Sequence, residues 1–99
     1  MTIDAIILNK LDNVATALRD IKEGENVKIG LADAETGRKL SETISYGHKF
    51  ALKKIKIKEN IIKYGEIIGC ATEEINAGMH VHVHNIESLR GRGDIQSGE

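Results

Sequence analysis

A seven-residue frame recurs along this 99-residue chain and limits what it can fold into. An aliphatic residue is followed three positions later by glycine and, in most copies, three after that by another apolar residue. The copies are Ile21-Lys22-Glu23-Gly24-Glu25-Asn26-Val27, Ile44-Ser45-Tyr46-Gly47-His48-Lys49-Phe50, Ile62-Lys63-Tyr64-Gly65-Glu66-Ile67-Ile68 and Ile75-Asn76-Ala77-Gly78-Met79-His80-Val81. Ile55 to Ile61 keeps the frame with Lys58 at the glycine position. Glycine takes a positive φ at low steric cost, so each copy reads as a tight turn whose flanking apolar residues anchor two extended pieces in a core. Uneven spacing of the copies excludes a solenoid. Together they predict a compact, mainly all-β domain of short strands and glycine turns, with at most one or two short helical turns.

Candidate strands run over Val27–Ala32, Lys39–Ile44, Lys49–Ile55, Ile61–Tyr64, Glu66–Ala71 and His80–Ile86, with weaker candidates at Ile3–Leu8 and Asn13–Asp20. Asn9–Asn13 reads as a turn and Ala34–Arg38 as a hairpin turn. Thr72–Ile75 could form one helical turn capped by Thr72. No long stretch keeps a 3.6-residue apolar period. Residues 90–99, rich in glycine and charge, read as a flexible C-terminal tail, leaving one domain over 1–89.

Three of the four histidines stand at i, i+2 spacing in Gly78-Met79-His80-Val81-His82-Val83-His84-Asn85-Ile86. Strict alternation is the pattern of a half-buried strand. It places Val81 and Val83 toward a core and His80, His82 and His84 on one shared face. The fourth, His48, follows the turn glycine Gly47. Composition adds boundaries. With a formal net charge of -1, the chain has no bulk electrostatic footprint for nucleic acid or membrane. Cys70 is the single cysteine, which excludes an intramolecular disulfide and suits a reducing, cytoplasmic setting. No apolar run approaches the ~20 residues of a membrane-spanning helix, and the first residues lack signal-peptide features.

Several of these stretches carry a family resemblance. Asp12-Asn13-Val14-Ala15-Thr16-Ala17-Leu18-Arg19-Asp20-Ile21 followed by Gly24 resembles the opening of the small amino-terminal region of altronate and galactarate dehydratases. Gly47-His48-Lys49-Phe50-Ala51-Leu52, Ile62-Lys63-Tyr64-Gly65-Glu66-Ile67-Ile68-Gly69 and Gly78-Met79-His80-Val81-His82-Val83-His84-Asn85 resemble later parts of the same region. The small subunit of sulfolactate sulfo-lyase is similar. The resemblance runs from about Asp12 to Asp94. It implies a SAF-type β-clip domain, fused to a large catalytic region in some members and a separate small subunit in others. Because the chain ends near where fused members continue, it resembles the split small subunit, inactive alone and paired with a large catalytic subunit. Homo-oligomerisation is left open.

The resemblance also implies a reaction: loss of water from a sugar acid to give a 2-keto-3-deoxy acid, assisted by a divalent metal such as iron(II), manganese or magnesium, bound together with the large subunit. In a strand, residues i and i+2 lie ~6.6 Å apart, so two imidazoles can close on one ion, whereas three span ~13 Å and need a bend. His82 with His84 or His80 is the expected ligand pair within the set His80, His82 and His84. His48 is the candidate catalytic group or a further ligand. Lys49 and Asn85 are candidate substrate-binding groups, for a carboxylate and a hydroxyl. The alternative reading is a non-catalytic β-clip module binding carbohydrate or protein, with wet-face imidazoles, a solvated lysine and an asparagine that only ends a strand. A sulfo-lyase subunit is a third reading that differs in leaving group. Tyr64 is expected to pack on the sheet and Cys70 to be a small core residue.

Overall fold

The computed structural model describes residues 3–31 and 34–88, with side chains at all of these except 31 and 34–38. The expectation of an all-β chain holds: every regular element is a strand, and no helix occurs among the described residues. The strands are β1 (Ala5–Ile6), β2 (Val14–Ala17), β3 (Asn26–Leu31), β4 (Ala34–Lys39), β5 (Lys49–Ala51), β6 (Asn60–Lys63), β7 (Glu66–Ala71), β8 (His80–Val81) and β9 (Ile86–Ser88). One sheet has the order β4-β3-β1-β2-β5-β8 and the other β6-β7-β9. All pairings are antiparallel except β1 with β3.

Turn chemistry explains the recurrence. In Lys22–Glu25, Ser45–His48, Lys56–Glu59 and Asn76–Met79 the fourth residue donates its N–H to the carbonyl of the first, at 3.0, 2.9, 2.9 and 3.1 Å. The third residue has positive φ in each: Gly24 87°, Gly47 84°, Lys58 73° and Gly78 85°. A positive φ at that position is what a type II turn requires. The isoleucine before each turn, Ile21, Ile44, Ile55 or Ile75, is 0% exposed. These isoleucines pair as bridges, Ile21 with Ile44 and Ile55 with Ile75. The copy carrying Lys58 is therefore a true member of the set. The copy at Ile62–Ile68 is a different device: Lys63 pairs with Glu66 across a two-residue loop, and Tyr64 and Gly65 both take positive φ, 54° and 80°. That is the requirement of a tight hairpin turn.

Lys58 holds a left-handed backbone that disfavours a side chain. Lys58→Gly is expected to raise stability by up to about 1 kcal/mol, the relief of that strain less the added freedom of the unfolded chain. A urea-unfolding midpoint no higher than that of the parent would refute this.

Several local expectations are overturned. Ala34–Arg38 lies in strand β4 rather than a turn; with Leu31 opposite Ala34, the connection falls at 32–33, outside the described residues. The strand expected over Lys39–Ile44 ends at Lys39, because Leu40 turns into the core and Ile44 pairs back to Ile21. The strand expected over Lys49–Ile55 stops at Ala51. Thr72–Ile75 makes no helical turn: Thr72 donates to the Asn85 carbonyl and Ile75 to that of Ile55, so these N–H groups bond to segments distant in sequence. Residues 90–99 lie outside the described residues.

The core has two parts, divided by the alternation of β2 and β5. Ala15, Ala17 and Phe50 join Ala5, Ile21, Val27, Ile29, Leu40 and Ile44. Val14 and Ala51, one residue away, join Ile55, Ile61, Ala71, Ile75 and Val81. Cys70 is half-buried beside Ala71 and Thr72 in the wall of a pocket, not in either core.

Candidate functional site

The histidines meet where the second turn delivers β5 next to β8. Gly47 closes that turn and His48 leaves it, two residues before buried Phe50. Phe50 stands opposite His80 in the antiparallel register. His48 and His80, 32 residues apart in sequence, thereby reach one edge of one sheet. Nδ1 of His48 lies 2.9 Å from Nε2 of His80, with the donor set by the tautomers.

His82 joins them because the expected strand does not continue. Extended pairing in the His80–Ile86 segment ends at Val81, and β9 starts only at Ile86. Between them His82–Asn85 forms a turn, with the Asn85 N–H donating to the His82 carbonyl at 3.0 Å. The Asn85 side chain, 2% exposed, organises this turn. Its Oδ1 accepts the His82 N–H at 2.9 Å, and its Nδ2 donates to the His80 carbonyl at 2.8 Å. Val83, expected in the core, sits at the tip and is 79% exposed. A side chain that satisfies the backbone locally has displaced the ladder.

The bend stacks the rings. His48 and His82 have centroids 4.6 Å apart at 20°, His48 and His80 5.1 Å at 16°, and His80 and His82 5.3 Å at 14°. His84 reaches only His80, at 5.3 Å and tilted 39°. His48, His80 and His82 are half-buried, and one ring nitrogen from each lies within 4.8 Å of the others. His84 stands outside that group. Burial, then the neighbouring His48, His82 and His84, hold His80 below the ordinary imidazole range, against a weak opposing pull from Glu42. Burial, then His48, Lys49 and His84, lower His82 likewise. Both shifts favour the neutral ring, the form that binds metal.

The donor types suit a divalent cation, and one pair of the three stands at ligand spacing. Ligand bonds of ~2.0–2.1 Å to a four- or six-coordinate ion put neighbouring donor nitrogens about 3 Å apart, close to the His48–His80 separation of 2.9 Å. Three imidazoles suit a first-row transition ion better than magnesium, which prefers oxygen ligands.

Lys49 is half-buried opposite Thr16 and Val81. Burial, then the charge of Lys63, lowers its ammonium pKa. Tyr64 leans back, its hydroxyl 3.3 Å from Thr16 Oγ1, with Lys63 Nζ 5.0 Å from its ring centre. Glu42 carries no sequence signal, yet its Oε1 accepts the His80 N–H at 2.8 Å from 38 positions away.

Residues 3–89 match the altronate/galactarate dehydratase SAF domain. The chain is 42% identical over 91 residues, 92% of its length, to altronate dehydratase of Bacillus subtilis. It is 48% identical over 80 residues, 81% of its length, to altronate dehydratase of Escherichia coli. These alignments cover only 17% and 15% of the two dehydratases, so the chain spans about a sixth of their length. It is also 30% identical over 93 residues to (2R)-sulfolactate sulfo-lyase subunit alpha of Chromohalobacter salexigens, covering 91% of this chain and 99% of that subunit. The two-part β architecture, the turn-built histidine edge and these matches make the chain a member of the altronate/galactarate dehydratase SAF domain family.

Proposed function

We propose that the chain is the metal-binding small component of a lyase that dehydrates a sugar acid to a 2-keto-3-deoxy acid, working with a larger catalytic partner. The observation behind this reading is the convergence of His48, His80 and His82 nitrogens within 4.8 Å at an open sheet edge. In such a reaction the proton on C2 leaves to a base, hydroxide departs from C3, and the resulting enol becomes the keto acid. A divalent cation, when bound, supplies Lewis-acid stabilisation of the developing charge and help to the departing hydroxide. His48, His80 and His82 would hold it, iron(II) or manganese(II) suiting the donors best. His48 is thus assigned to the ligand set, and the base to the partner. Lys49 offers its partly desolvated ammonium to the acid's carboxylate. Asn85 holds the histidine turn.

The match along the whole sulfolactate sulfo-lyase subunit alpha favours a second reading with the same architecture, in which sulfite leaves in place of hydroxide. Purifying the chain together with a large subunit of the same lyase family, and assaying 2-keto acid and sulfite, tests both. Keto acid formed only when both components are present is the expected result. Sulfite release with sulfolactate would select the second reading. Full activity of the partner without this chain would overturn the proposal.

A further inference from the structure

We propose that Glu42 is a positioning residue of the histidine cluster, acting by its hydrogen bond to the His80 peptide. The inference rests on the cluster reading above for its metal readout and on geometry alone for the rest. β8 is one of the two edge strands of its sheet among the described residues. The neighbouring ladder bond to β5 runs from the Ala51 N–H to the Met79 carbonyl. In an antiparallel pair the next position along the strand turns its N–H and C=O away from the partner. His80 occupies that position, opposite Phe50. Both of its outward groups are taken up by side chains: Glu42 Oε1 accepts its N–H at 2.8 Å, and Asn85 Nδ2 donates to its carbonyl at 2.8 Å. The sheet therefore fixes His80 on one side only, and two side chains fix it on the other.

Glu42 is itself held in place. Leu40 and Ile44, on either side of it, are buried at 2% and 0% exposure. Ile44 exchanges two 2.8 Å bonds with Ile21, and the Ser41 N–H donates to the Gly78 carbonyl at 3.2 Å. A Cβ at Gly78 would lie 3.0 Å from the Lys39 carbonyl oxygen and 3.2 Å from the Ser41 nitrogen, so this loop packs directly on the turn leading into β8. The carboxylate bridges two clamped segments and sets where the His80 ring stands relative to His48. Groups that orient ligands in this way tune metal affinity without touching the ion.

Two variants separate the hydrogen bond from the charge. Glu42→Gln keeps an acceptor oxygen and removes the charge; Glu42→Ala removes both. In the metal-free chain, Glu42→Ala is expected to speed exchange of the His80 amide and shift the ring ¹⁵N signals of His48 and His80, with little change in Glu42→Gln. With Co²⁺ as probe, titrated by its visible absorption, Glu42→Ala is expected to bind about 10–100-fold more weakly and Glu42→Gln within about threefold of the parent. Equal losses in the two variants, or unchanged His80 exchange in Glu42→Ala, would overturn the proposal. Failure of the parent to bind Co²⁺ would sink the metal reading, while the amide and ring measurements would still decide the part played by Glu42.

Discussion

If the chain works in the proposed lyase, alanine at His80 is expected to lower activity of that assembly by roughly a hundredfold or more and to abolish Co²⁺ binding by this chain, since a ligand should matter at least as much as the groups behind it. His80 is the hub of the cluster. It is 2.9 Å from His48, stacks on both His48 and His82, and also touches His84. Its removal leaves two donors where three converge. His84→Ala is the matched control. That ring is tilted and lies outside the group of three, so a loss of no more than about tenfold is expected, equivalent to ~1.4 kcal/mol. Steady-state rates with the proposed large partner, alongside Co²⁺ titration, make the comparison. If His84→Ala matched His80→Ala, the ligand set would be the linear trio of the alternating sequence rather than the bent one. If neither mattered, the cluster would have no part in the chemistry.

The difference between those two sets shows where sequence reading stops. The all-β character was legible because aliphatic-x-x-glycine frames encode turns through a local steric rule. Glu66–Ala71 is legible to the residue for a related reason: the Tyr64–Gly65 turn bounds its apolar run on one side and polar Thr72-Glu73-Glu74 on the other. The break after Val81 was hidden by perfect alternation, which fits strand pairing and says nothing about a competing turn. The competitor was Asn85, whose amide bonds to both His80 and His82. Asparagine after a short strand is a turn signal, but its choice of partners depends on the fold. The union of His48 with His80 was beyond local reasoning, since the pairing of β5 with β8 creates it. Lys58 shows the converse: the frame predicted a turn even without glycine, and the backbone adopts φ 73° there.

Phe50→Ala is expected to cost about 3–5 kcal/mol, a large part of the ~5–15 kcal/mol that keeps a domain of this size folded. Phe50 is the only phenylalanine and is 0% exposed. It lies opposite Ala15 on one side and His80 on the other. Those neighbours cannot fill the void: Ala15 is small, and the His80 peptide is held at both its N–H and its carbonyl. The cavity would therefore persist, and persistent cavities are the costly ones. Val83→Ala supplies the contrast. Alternation would bury Val83 like Val81, with a cost near that of burying a valine, about 1.5–3 kcal/mol. The structure leaves it 79% exposed, so the change should fall within about ±0.5 kcal/mol. Denaturant unfolding of both variants reads the two values directly. A Val83→Ala loss above about 1.5 kcal/mol would restore the continuous strand and with it the linear histidine face. A small loss for Phe50→Ala would mean that the sheet edge bearing His48 and His80 can collapse onto the core, and the rigidity argued for the cluster would go with it.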